Sequence, residues 1–297
     1  MWKANECARR LVRAILMALA LGAGAPAPAQ DGITLAALLG DAIEGGDYAI
    51  PRPDELQAAE SLFRRLALDI PADKLNADAA ALGMEIVTDG LLVILREQPT
   101  ARRGRGFYVF RRGSDADVLH VPHGFKDEMT REIGLALFLE GRFAAAGWNT
   151  VPRYYERDGA RVDADLAHLP DSWFTAFARA TASAWPRGRT LQLHGFANEK
   201  RRSPAGAGAA LILSNGTEAP PPALRALRDC LSRSLREPAA LYPQDVRELG
   251  GTTNAQGEAL RELRYAGFLH LETSRDLRQR LRDDRTSRAT LLNCLQP

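Results

Sequence analysis

From about residue 117 onward, short apolar runs of strand length alternate with longer helical patterns, and no other feature restricts the fold as much. DVLHV reads as a strand and EMTREIGLALFLEGRFAAAG (128–147) as a helix. WNTVPRYY reads as extended, SWFTAFARATASAW (172–185) as a helix and TLQLHGF (190–196) as a strand. AALILS (209–214), PALRALRDCLSRSL (222–235), FLHLE (268–272) and SRDLRQRLRDD continue as strand, helix, strand and helix. That order predicts an α/β domain, a mixed sheet with helices on both faces. Upstream, residues 34–70 read as helical, with Pro51 and Pro53 between TLAALLGDAI and DELQAAESLFRRLALDI. MEIVTDG and LLVILRE, joined through Asp89-Gly90, predict a hairpin, and FYVFRR (107–112) a further strand. The α/β part thus carries a helical and hairpin N-terminal extension.

The first residues belong to a different kind of segment. Lys3, Arg9, Arg10 and Arg13 precede the apolar run Ala14–Leu21, which is short for a bilayer span, and Ala27-Pro28-Ala29 has small residues at the spacing of a cleavage site. Residues 1–29 therefore read as a signal peptide, with residues 30–297 forming a single domain. The expectation is a periplasmic or secreted protein with no membrane span after cleavage. Cys230 and Cys294 are the cysteines left, either paired in an oxidising compartment or present as two core thiols. The formal charge of +2 comes from the leader, and the remainder is close to neutral, which excludes the electrostatic footprint of a nucleic-acid binder. No GxSxG, GxxxxGK[ST], HExxH or CxxC occurs, against serine-hydrolase, P-loop, zincin and thioredoxin chemistry.

The five histidines carry the chemical signal, and none lies before residue 120. His123, His194 and Glu272 come from three strand ends, where open α/β sheets bind ligands. His-Gly-Phe occurs at 123–125 and again at 194–196. A glycine after a ligand histidine allows close approach of the backbone. Asp127 and Glu128 follow the first copy, so one loop can supply a histidine and a carboxylate, and a histidine from another strand completes a three-ligand site. Asp127 is also a good helix N-cap. His120 and His270 read as hydrogen-bonded core residues, and His168 as a surface or cap residue. Glu272 closes an apolar strand, either in an ion pair with Arg275 or Arg278 or as a general base acting on a water at the metal. Asn149 and Arg153, in WNTVPR, offer an amide and a guanidinium, the latter suited to holding a carboxylate.

Together these segments resemble the zinc-carboxypeptidase-like hydrolases: carboxypeptidases, aspartoacylase, N-formylglutamate amidohydrolase and the phage-type poly-γ-glutamate hydrolases. The resemblance covers about residues 117–282 and rests on PHGFKDEMTREIGLAL, LQLHGF and FLHLETSRDLR, with WNTVPR loosely similar to an Asn-Arg substrate element. It implies a zinc-peptidase-like (phosphorylase/hydrolase-like) fold with its catalytic part at about 105–285. It implies zinc held by His123, His194 and Asp127 or Glu128, with Glu272 as general base and Asn149 and Arg153 at the substrate carboxylate. The implied activity is that of an exported amidohydrolase or metallopeptidase acting on a small peptide or acyl-amino-acid. The alternative is a non-catalytic periplasmic binding or scaffold protein on the same fold. The chain departs from the carboxypeptidase pattern in having Lys126, not Glu, three residues after His123, and in separating the Asn from the Arg.

Overall fold

Three α-helices precede the first strand in the computed structural model, which describes residues 29–44, 46–114 and 116–296. The expected leader, apart from Ala29, lies outside the described residues. The helices are α1 (Ala29–Ala42), α2 (Pro53–Ala67) and α3 (Asn76–Ala81). α2 has Pro53 in its first turn with Asp54 and Glu55, and Arg64 and Arg65 in its last. That charge order complements the helix dipole. Its stripe Ala59, Leu62, Phe63 and Leu66 is buried. The predicted hairpin forms from β1 (Met84–Asp89) and β2 (Leu92–Glu97), with Asp89 opposite Leu92. Gly90 turns it at a φ of 55°, a region glycine enters without a Cβ penalty.

β3 (Phe107–Arg111) leads into the alternating part: β4 (Val118–Val121), α4 (Thr130–Glu140), β5 (Ala145–Trp148), a small ribbon of β6 (Tyr154–Arg157) and β7 (Ala160–Asp163), then α5 (Trp173–Ala184) and β8 (Thr190–Gly195). α6 (Pro204–Gly208), β9 (Leu211–Ser214), α7 (Pro222–Leu235), β10 (Ala239–Leu241), α8 (Ala255–Glu262), β11 (Phe268–Thr273), α9 (Arg275–Asp283) and α10 (Arg285–Leu295) complete it. One nine-stranded mixed sheet runs in the order β1-β2-β3-β5-β4-β8-β11-β9-β10. Its middle four strands, β5, β4, β8 and β11, are mutually parallel. Their carboxyl ends therefore open on the same edge. The chain goes from β4 to β5 on one side and then to β8 on the other, so the strand order reverses beside β4, where a crevice forms.

The two faces of this block differ. Leu119, Val121, Leu191, Leu193 and Leu271 pack in a core with residues of α1, α4, α7, α9 and α10. On the opposite face His120, Gln192 and His270 stand side by side in the ladder, and His194 pairs with Glu272 one step further along. All five are buried.

The helix expected over 128–147 is shorter than its pattern. It stops before Gly141, and Ala145–Trp148 is a central strand. Alanine favours a helix locally, but here the sheet demands small side chains: a Cβ on Gly147 would approach the Tyr108 ring to 3.0 Å. Cys230 and Cys294 form a disulfide with a Cα separation of 5.8 Å, tying α7 to α10. No described helix is long and apolar enough to cross a membrane.

Candidate metal centre

Two residues beyond β4, the chain turns through His123–Asp127, closed by the Asp127 N–H donating to the His123 carbonyl. The turn brings Asp127 back under His123, and β8 delivers His194 from the neighbouring strand. The His123 and His194 Nδ1 atoms are 3.2 Å apart. Asp127 Oδ2 lies 3.5 Å from the first and 3.4 Å from the second. Donors about 2.0–2.1 Å from a tetrahedral zinc would be separated by about 3.3 Å, so this triangle has the size of three metal ligands. All three side chains are buried.

The outer nitrogens are held as well. His123 Nε2 is 2.8 Å from Asp165 Oδ1, and His194 Nε2 is 2.9 Å from Gln192 Oε1. With those nitrogens donating, both Nδ1 lone pairs face inward beside a carboxylate. Three acceptors facing one another in a buried space fit a cation. Burial raises the Asp127 pKa, but positive charge in the place it shares with His123 and His194 outweighs this and holds the carboxyl far below its usual range: protons on the two Nδ1 atoms do so, and a bound cation would take their place. Burial works against the charged form of His123, but Asp127 and Asp165 raise its pKa.

The two acidic candidates separate cleanly. Glu128 faces outward, 3.6 Å from the exposed Arg275. Asp127 faces the histidines and also accepts from the Gly195 N–H at 3.0 Å. It does not cap α4: the residue at the cap position is Met129, and only the Asp127 backbone carbonyl reaches Thr130, accepting from its hydroxyl at 2.7 Å.

Glu272 stands beside the triangle on β11. It makes no ion pair with Arg275 or Arg278. His270 Nε2 lies 3.9 Å from Oε1, burial keeps that imidazole neutral, and Oε2 is buried without a hydrogen-bond partner. Burial, with a smaller contribution from the Asp127 charge, pushes its pKa up to about 8. Arg278 instead donates to the carbonyls of Glu128 at 2.8 Å, of Phe196 at 3.3 Å and of Thr273, bolting together three segments that each adjoin a site residue. This explains the glycine of the second His-Gly-Phe, since a Cβ on Gly195 would lie 2.3 Å from the guanidinium. Gly124 of the first copy gives its N–H to Asn149 Oδ1 at 2.8 Å.

Asn149 is thereby a brace. Its amide nitrogen donates to the Val151 carbonyl at 2.8 Å, and its side chain is buried with both ends in use. Arg153 lies on the cleft wall and pairs with Asp165 Oδ2 at 2.6 Å, while its Nε has no partner. His120 is buried as expected, but against the Phe174 and Phe177 rings, with neither nitrogen hydrogen-bonded. His168 is exposed and donates from Nδ1 to the Thr253 carbonyl at 3.0 Å.

Asp165, Tyr154 and Gln192 surround the triangle, and none of them stands out in the sequence as a site residue. Asp165 receives the Tyr154 hydroxyl at 2.9 Å while holding His123. It lies in an irregular loop, where no periodicity marks it. Gln192 did leave a trace: in TLQLH it shares a strand face with His194 and interrupts an apolar run. The triangle and Glu272 open into a cleft of about 1400 Å³ whose walls include Lys126, Lys200, Arg201 and Arg275.

No family model matches the chain, and no curated protein matches it in sequence. Among solved structures it is similar to N-formylglutamate amidohydrolase from Ralstonia eutropha, with 14% identity, covering 64% of this chain and 96% of that one at a TM-score of 0.40. It is similar to a protein provisionally described as a metallopeptidase from Shewanella amazonensis, with 12% identity, coverage of 84% and 100%, and a TM-score of 0.39. It is also similar to an aspartoacylase family protein from Mesorhizobium loti, with 13% identity, coverage of 72% and 69%, and a TM-score of 0.40.

Proposed function

We propose that this chain is an exported zinc-dependent amidohydrolase or peptidase that cleaves an amide bond in a carboxylate-bearing peptide or acyl-amino-acid. The observation that carries the reading is the buried triangle of His123 Nδ1, Asp127 Oδ2 and His194 Nδ1 on the floor of an open cleft. Those three atoms would hold the ion. Bound zinc supplies Lewis-acid polarisation and makes an attacking water more acidic. Glu272 Oε2, buried and without a hydrogen-bond partner, would be the base that takes a proton from water and returns it to the leaving amine, a role that needs the group ionised and therefore favours pH near or above 8. Arg153 lines the cleft with its guanidinium partly exposed and steadied by Asp165, and it would hold the substrate carboxylate. Asn149 keeps the His123–Asp127 turn in place. A binding or scaffold protein has no need of an intact donor set beside an unpaired glutamate.

Residues 30–297 form one domain in this reading, released by cleavage near Ala29 into the periplasm or medium. The disulfide between Cys230 and Cys294 supports an oxidising compartment. A cleft of about 1400 Å³ exceeds the usual size of a small-molecule pocket, which favours a peptide chain over a single acyl-amino-acid.

The test is metal content of protein purified without chelator, followed by hydrolysis assays on N-acyl-amino-acids and acidic peptides. About one zinc per chain and amide hydrolysis abolished by chelation are expected. A protein that takes up no transition metal and gains no thermal stability on adding zinc overturns the reading.

A further inference from the structure

Resting on the metal-binding reading above, we infer that Gln192, Gln256 and Asn254 form a buried amide relay that dictates which nitrogen of His194 carries its proton. The polarity of the relay follows from two backbone groups. Gln256 places one amide atom 2.7 Å from the Leu166 carbonyl, which only accepts, so that atom is the nitrogen. It also donates to Thr175 Oγ1 at 3.0 Å, whose own proton goes to the Leu169 carbonyl. Gln256 Oε1 then faces Gln192 at 2.9 Å, and the Gln192 atom there must be Nε2.

The second anchor is independent. The Gly257 N–H, which only donates, reaches Asn254 Oδ1 at 2.9 Å, where Asn254 caps α8. The other Asn254 atom is therefore Nδ2, and it donates to Gln192 Oε1 at 2.5 Å. Both routes assign the same oxygen of Gln192 as an acceptor. That oxygen is 2.9 Å from His194 Nε2. His194 must then hold its proton on Nε2, which leaves Nδ1 bare and aimed at His123 Nδ1 and Asp127.

Burial makes the assignment strict. Gln192 and Gln256 have no exposure and Asn254 only 2%, so water cannot replace a mismatched partner. With the proton on Nδ1, His194 Nε2 and Gln192 Oε1 would be two lone pairs in contact, and the nitrogen facing Asp127 would be a donor unable to bind a metal. The relay thus prepares one of two histidine ligands. Asp165, by accepting from His123 Nε2, does the same for the other. Gln192, Gln256 and Asn254 are positioning residues in this scheme, since they act through His194.

The experiment uses the full processed chain. Imidazole ¹⁵N shifts of the metal-free protein report the His194 tautomer, and competition with a chromophoric chelator reports zinc affinity. The expected results are an Nε2–H tautomer in the native protein, loss of that preference in Gln192→Leu, and a zinc affinity ~10–100-fold weaker in that variant. Gln192→Glu keeps an acceptor toward His194 and should retain the tautomer, even though it loses the donor to Gln256 and with it stability. It keeps the test decisive should Gln192→Leu fail to fold. An Nδ1–H tautomer in the native protein, or a tautomer unchanged in a folded Gln192→Leu, overturns the relay. A Gln192-dependent Nε2–H tautomer in a protein that binds no zinc supports the relay and instead removes the metal-enzyme reading.

Discussion

Glu272 stands directly opposite His194 in the parallel ladder of β11 and β8, so its unpaired carboxyl group and the His194 imidazole share one sheet face. This register places a carboxyl group beside the His123–Asp127–His194 triangle without making it part of the triangle. Glu272→Gln keeps the shape and removes the acceptor. It should retain full zinc content and near-native stability while turnover falls ~10²–10⁴-fold. Metal analysis, thermal melts and kcat on the same preparation check this. Turnover unchanged in a folded, zinc-loaded variant rejects the assignment.

Asp127 and Glu128 are adjacent in sequence but face opposite ways, one toward two histidines and the other toward exposed Arg275. Asp127→Ala should lose the metal, whereas Glu128→Ala should keep both metal and activity. Elemental analysis of the two proteins is sufficient. Metal retained in Asp127→Ala would place the acidic ligand elsewhere.

The stability of the fold should depend on pH through His120. Burial against Phe174 and Phe177 pushes its pKa down to about 3. In the unfolded chain the group titrates near pH 6.5. Between these values the unfolded state binds more protons, so the contribution is complete above about pH 6.5 and is lost as pH falls toward 3. From pH 6.5 to 5 the loss is about 2 kcal/mol. His120→Leu should be less sensitive over that window in urea melts. Parallel pH dependences of the native protein and the variant would exclude this cause.

The Cys230–Cys294 bridge closes a loop with a sequence separation of 64 residues. Replacing both cysteines with serine should lower stability by about 2–4 kcal/mol. Because α7 and α10 lie on the face of the sheet away from the triangle, metal affinity should not change. A shifted denaturation midpoint with an unaltered zinc titration is the expected pair of results.

Local pattern is enough to read the α/β architecture, the hairpin, α5, α7 and the strand carrying His194, because periods of two and 3.6 residues report which face is buried. The two His-Gly-Phe copies and Glu272 stand out in the sequence as polar residues closing apolar strands, and the fold brings His123, His194 and Glu272 to one sheet edge. What the chain could not declare locally were choices settled by contacts distant in sequence. Ala145 and Ala146 are helix formers by propensity, yet they lie in a strand, where the neighbouring Gly147 provides the small residue needed against Tyr108. Asp127 fits a cap by position, but the turn at His123 aims it at β8. Asn149 fits a substrate contact by motif, yet the Gly124 N–H and the Val151 carbonyl occupy it. Asp165 and the Gln192 relay acquire meaning only when a loop, two strands and a helix meet. Sequence periodicity specifies burial, whereas hydrogen-bond direction in a buried site depends on which donors and acceptors the tertiary fold brings within 3 Å or so of one another.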